Sequence, residues 1–150
     1  MKLAAVLATR GTHVATIAAS APIAEAVTEL AARNIGALVV LDGAGAVAGI
    51  ISERDIIRAL AAGGPVLDLP VADVMTRDVI CGTLDDDLET VLAVMTSGHF
   101  RHLPVVDGGQ LVGLVTTGDL AQALLQSLAG RVETLEFRLE AEIEQFGVGR

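Results

Sequence analysis

Residues 36–60, GALVVLDGAGAVAGIISERDIIRAL, are echoed by residues 101–124, RHLPVVDGGQLVGLVTTGDLAQAL. Each segment holds two apolar runs joined by an Asp-Gly turn, then Gly-x-x-Ser/Thr-x-x-Asp at the start of a helical pattern. Gly49, Ser52 and Asp55 recur as Gly113, Thr116 and Asp119, 64 positions on, whereas Asp42 recurs as Asp107, 65 positions on. The second turn is therefore one residue shorter, where a change of length is easiest to absorb. Such a duplication constrains the fold more than any local propensity. Both copies must adopt one local structure, and a unit of about 60 residues buries too little apolar surface by itself. The two must pack together, and a duplicated corner implies a duplicated pocket.

The apolar spacing gives each copy the order strand–helix–strand–strand–helix. In the first copy Thr12–Ile17 reads as a strand. Pro22 opens a helix carrying Ile23, Ala26, Val27 and Leu30, and Asn34-Ile35-Gly36 closes it. Ala37–Leu41 and Val47–Ile51 are paired strands, and a helix runs from Ser52 to about Ala62, stopped by Gly63-Gly64-Pro65. In the second copy Val79–Cys81 is the short strand, and Leu88, Val91, Leu92 and Met95 stripe a helix ending at Ser97-Gly98. Leu103–Val106 and Leu111–Val115 are paired strands, and Thr116 opens the last helix. Residues 3–9 form a lead-in helix, and the link 64–78 is held extended by Pro65 and Pro70. The expected fold is α/β (α+β): two such repeats packed sheet to sheet about a pseudo-two-fold axis, sharing a core. The expected divisions are 1–69, 70–129 and an amphipathic tail helix 130–150, with Val132, Leu135, Leu139, Ile143 and Phe146 on one face. That tail either packs back on its own domain or contributes to a homodimer.

Composition removes several function classes. The net charge of −9 repels a phosphate backbone, and a chain with no Trp or Tyr is poor material for stacking bases, so nucleic-acid binding is not expected. No apolar stretch is long enough for a membrane span. The start, MKLAAVLA, has the look of a secretory signal, but the run is short and is soon interrupted by Arg10 and His13. With Cys81 as the single cysteine there is neither a disulfide nor a thiolate metal cluster, which fits the cytoplasm, and a buried thiol is expected. The three histidines lack metal-ligand spacing, and Asp85-Asp86-Asp87 suits a helix start better than calcium.

The chemistry resides in the repeated corner. A helix N-terminus offers unpaired amides to an anion. The hydroxyl of Ser52 or Thr116 can reach a phosphate or ribose oxygen, and the carboxylate of Asp55 or Asp119 can accept from a cis-diol. Gly49 and Gly113 permit close approach of a flat ring or of a neighbouring backbone. Ser-x-x-Asp and Thr-x-x-Asp are equally plain capping boxes, and capping and binding do not exclude one another. No nucleophile–base pair or acid–base cluster argues for an enzyme. Arg54 and Arg58, in the helix after the first motif, either add positive potential there or, as the favoured reading, are solvated surface.

The segments IGALVVLD, GIISERD, VADVMTRDVI, FRHLPVVD and GLVTTGD together resemble the cystathionine-β-synthase (CBS) domain pair, or Bateman module, over about residues 10–128. The resemblance implies a regulatory, non-enzymatic module. It would take an adenosyl ligand (AMP, ADP, ATP or S-adenosylmethionine, sometimes a dinucleotide) between its two motifs and modulate an unidentified protein partner as a homodimer. It implies that Asp55 and Asp119 hold ribose hydroxyls, that Ser52 and Thr116 lie near ribose or phosphate, and that Arg101 and His102 meet phosphate. In the family's crossed geometry Ser52 and Asp55 share a pocket with Arg101 and His102. The other pocket uses Thr116, Asp119 and the backbone of Gly36 and Ala37, and lacks a matching basic pair. The competing expectation is a ligand-free interaction protein whose duplicated fold only builds a dimer surface.

Overall fold

The computed structural model describes residues 1–147. Helix α1 (Leu3–Arg10) precedes a first copy made of β1 (Thr16–Ala18), α2 (Ile23–Arg33), β2 (Ala37–Leu41), β3 (Val47–Ser52) and α3 (Glu53–Ala62). A link with two 3-10 turns, Val66–Asp68 and Val71–Asp73, leads to α4 (Leu88–Gly98), β4 (His102–Asp107), β5 (Gln110–Thr116) and α5 (Thr117–Phe146). The duplication extends to backbone detail. The antiparallel pairs β2–β3 and β4–β5 slip register between Val40 and Leu41 and between Val105 and Val106. Helices α2 and α4 both end on a left-handed residue, Asn34 at φ 51 and His99 at φ 55.

Each sheet is covered on both faces, which is why its strands read as continuous apolar runs. Leu38, Val40 and Ile51 pack with Ile23 and Leu30 on the helical side, while Ala37 and Val39 are buried off the opposite face. In the second copy Leu103, Val105 and Val115 pack with Leu88, Met95 and Leu120, and Leu114 is buried off the other face. The sheets thus pack face to face, but the expected shared core is instead two separate clusters, one under the helices of each copy.

What closes each cluster is the segment that precedes the other copy. Leu3, Val6 and Leu7 of α1 belong to the second cluster, and Val66, Val71 and Met75 of the link belong to the first. The two glycines of the repeat exist for this crossing. A Cβ on Gly49 would lie 2.7 Å from both Met75 Sδ and the Thr76 carbonyl, and one on Gly113 would lie 2.7 Å from both methyl carbons of Leu7. Of the two expected uses, close approach of a neighbouring segment is the one observed.

Several boundaries differ from the sequence reading. The first strand is shorter, Thr16–Ala18, and the link is not extended throughout but makes its two 3-10 turns, each capped by a proline, Pro65 or Pro70. Val79–Cys81 is not a strand. Only Gly82 pairs there, its amide donating to Pro104 O at 2.8 Å and its carbonyl accepting from Val106 N at 2.9 Å. A Cβ at Gly82 would lie 2.6 Å from Leu103 Cδ2, so the pairing position cannot carry the side chain that would anchor a strand. The second sheet consequently has two strands where the first has three. Cys81 is exposed rather than buried, and partial burial still pushes its thiol pKa up, which keeps the thiolate scarce at neutral pH.

Helix α5 runs unbroken through the expected boundary at residue 130, because no proline comes after Pro104 to stop it. Its distal half does not pack back on the domain: Val132, Leu135, Leu139, Ile143 and Phe146 are all exposed. The last three residues of the expected tail, 148–150, lie outside the described residues. Among the described residues no helix is long and apolar enough to cross a membrane.

Truncating the fully buried α1 anchor tests the crossing. Leu3→Ala should cost about 2–5 kcal/mol in urea unfolding. Native-state hydrogen exchange should quicken in β4 and β5 more than in β2 and β3, whereas equal loosening of both sheets would contradict the crossed packing.

Candidate functional site

Ser52 and Thr116 end their strands in extended conformation, with φ of −114 and −106, and cap α3 and α5. Ser52 Oγ accepts from Asp55 N at 3.2 Å, and Asp55 Oδ2 accepts from Ser52 N and Oγ, both at 2.9 Å. Thr116 Oγ1 accepts from Asp119 N at 3.0 Å, and Asp119 Oδ2 accepts from Thr116 N at 2.9 Å. Both corners are therefore complete capping boxes. Their first helical amides are also used in parallel ways, Glu53 N on Gly36 O at 3.0 Å and Thr117 N on Arg101 O at 3.1 Å. Each corner so ties its helix to the start of the neighbouring strand of the same copy.

The two aspartates then part company. Asp55 Oδ1 accepts from Thr76 Oγ1 at 3.0 Å. Thr76 arrives on the link and is fixed by a backbone bridge to Ile50, at 3.0 and 2.9 Å. A carboxylate has about four lone-pair sites, so this bonding leaves Asp55 able to accept more. Asp119 instead faces α1, where Arg10 Nε lies 2.6 Å from its Oδ2.

A cleft of about 370 Å³ brings Ser52 and Asp55 of the first copy together with Arg101 and His102 of the second, the crossed grouping that the resemblance implies. Gly36 and Thr116 lie on its wall as well. Arg54 and Arg58 also line it while staying exposed, so these solvated arginines add positive potential to the cleft. Arg54 Nη1 donates to the His99 carbonyl at 3.1 Å, spanning from α3 to the end of α4. Three arginines against the carboxylates of Glu53 and Asp55 make a locally positive floor in a chain of net charge −9. Ile50 and Phe100 supply apolar wall. Sequence reasoning passed over Thr76, Ile50 and Phe100. The signal for Thr76 was its place in VADVMTRDVI, but in sequence the link reads only as a connector.

A second cleft, about 480 Å³, is lined by Gly36, Ala37 and Thr116 as expected. Asp119 is not part of its lining. It sits in the adjoining groove beside α1, held there by Arg10. The basic pair that Gly36 and Ala37 cannot provide is made up from elsewhere, since Arg10, His13 and Arg33 line this cleft. Arg33 is partly neutralised by Glu29, 2.7 Å away.

His102 is half-buried and borders both clefts. Burial pushes its pKa below the ordinary histidine value, the Arg101 guanidinium adds to this, and Glu53 and Asp119 oppose it. The ring is therefore a neutral hydrogen-bonding group at neutral pH, able to gain charge when an anion arrives.

The profile of the CBS domain matches residues 7–62 and again residues 71–126. An uncharacterised 17.7 kDa protein of Acidianus ambivalens is 41% identical over 132 residues, covering 87% of this chain and 76% of that one. A crystal structure of a CBS-domain containing protein from Agrobacterium tumefaciens superposes with a TM-score of 0.78 at 36% identity, covering 81% of this chain and 92% of that one. The CBS domain pair of protein MJ0100, solved with 5′-methylthioadenosine and S-adenosyl-L-methionine, gives 0.75 at 28% identity, covering 85% and 98%. A CBS domain protein of Pyrobaculum aerophilum complexed with AMP also gives 0.75 at 28% identity, covering 87% and 99%.

The depressed pKa of His102 has a signed consequence. A histidine whose folded pKa lies below its unfolded value contributes stability above the unfolded pKa and loses it as pH falls through the folded pKa. Urea unfolding of the wild type should lose more stability than His102→Gln between pH 7.5 and 5.5. Parallel losses in the two proteins would contradict the assignment.

Proposed function

Because the chain belongs to the CBS domain family, as a tandem pair, we propose that it is a regulatory sensor of an adenosyl ligand bound in the cleft between its copies. The observation that carries this reading is the joining of Asp55 with Arg54, Arg58 and Arg101 in one cleft. Asp55 accepts from the ribose hydroxyls and Ser52 lies beside the sugar. Ile50 and Phe100 flank the base, and the arginines with His102 take the phosphate. Three arginines favour an adenine nucleotide (AMP, ADP or ATP) over S-adenosylmethionine, whose sulfonium carries positive charge. Complexes of AMP and of S-adenosyl-L-methionine with structural relatives support the ligand class.

Ligand in this cleft touches both copies at once, so its binding free energy favours one relative placement of them. That is a means of signalling to a protein partner, and the chain acts as a non-catalytic homodimer in the cytoplasm. At the second cleft the matching aspartate, Asp119, lies outside the lining and is paired with Arg10, so a ribose cannot be held there in the same way. The second cleft is therefore the weaker one. One observation favours a ligand-free scaffold instead: both corners form complete capping boxes, a structural use for the same hydroxyls and carboxylates.

A thermal-shift series decides between them. AMP at a hundred times its dissociation constant adds about 2.7 kcal/mol and should raise Tm by roughly 5–11 °C. Asp55→Asn keeps a carbonyl acceptor for the cap but loses the charge-assisted bonds to ribose, and should weaken binding roughly ten- to a hundredfold. Absence of a shift with every adenosyl compound would leave the scaffold reading.

A further inference from the structure

From Leu125 onward α5 carries an apolar seam that nothing in the described chain covers. Leu125, Leu128, Val132, Leu135 and Leu139 succeed one another at steps of 3, 4, 3 and 4, and each is at least 45% exposed. That is a heptad pattern with Leu125, Val132 and Leu139 at a and Leu128 and Leu135 at d. A four-residue step then leads to Ile143 and on to Phe146, a stutter that locally unwinds the supercoil and moves Glu142 off the seam. Leu125 to Phe146 spans about 30 Å of helix, at about 1.5 Å per residue. Alone in water, a helix projecting this far with such a stripe gains nothing from it.

Charge placement identifies the occupant. In this register Arg131 falls at g and Glu136 at e. In a parallel, in-register pair a g residue faces the e residue five positions on in the other chain. Arg131 then meets Glu136 of a second copy, twice by symmetry. An antiparallel pair would set g against g, and both g positions here, Arg131 and Arg138, are arginines. We infer that α5 from Leu125 onward is a parallel two-helix seam between two copies of this chain. It makes specific the homodimer in the proposed function and is independent of any ligand. Phe137, on the opposite face of the helix, has no part in it.

Sedimentation of the full chain should show a dimer, and Leu135→Lys should raise its dissociation constant at least about tenfold, as a buried seam charge does. The thermal response to AMP should survive that change, which separates failure of the seam from failure of nucleotide binding. Arg131→Glu should weaken the dimer about threefold or more, and adding Glu136→Arg should restore it. Leu128→Cys in a Cys81→Ser background should cross-link under mild oxidation, since equivalent d positions adjoin only in a parallel pair. A monomer at all concentrations, or a dimer indifferent to Leu135→Lys, would overturn the seam. Tightening by Arg131→Glu, or no cross-link, would overturn its parallel sense.

Discussion

Each half of this molecule is closed by a segment that belongs, in chain order, to the approach to the other half. Helix α1 seals the second cluster, the link seals the first, and Gly113 and Gly49 are the two points with no room for a side chain where those segments pass. The crossing resists separation of the copies, because pulling them apart uncovers both cores. It also sets how they face one another. Thr76 reaches Asp55 only because the link crosses beneath β3, and Arg10 reaches Asp119 only because α1 crosses beneath β5.

From this near-symmetry comes an unequal pair of clefts. The corners match bond for bond in their capping boxes, and the difference enters through what each crossing segment delivers. A neutral hydroxyl comes to Asp55 and a guanidinium to Asp119. The first leaves a carboxylate with acceptor capacity beside three arginines. The second leaves a carboxylate already paired, next to a cleft with its own cations from α1 and α2. Duplication supplied two equal corners, and the lead-in and link, which differ in sequence, made them different.

Much of this was legible in the chain. The repeat placed Ser52 and Asp55, and the resemblance crossed them with Arg101 and His102; all four do line one cleft. The same residues cap their helices as their spacing predicts, because N-terminal caps are local and depend on a few adjacent residues. What escaped was long-range. Arg54 and Arg58 lie on a helix whose exposed and cleft-facing sides look alike in sequence. Asp119 matches Asp55 in the repeat, and only the position of α1 reveals Arg10 beside it. Val79–Cys81 has strand-like residues but loses its strand to a glycine pressed under Leu103, and the tail helix stays uncovered by its own chain because the described fold presents no groove to it.

The central claim is that the Ser52–Asp55 corner of one copy and the Arg101-His102 pair of the other act together on one adenosyl ligand. Hydrogen-exchange mass spectrometry of the full chain, with and without AMP, tests this most directly. Slowed exchange in residues 50–58 together with residues 99–103, saturating at one common concentration, is the predicted result. No slowing in either segment, or slowing in one without the other, would contradict the claim.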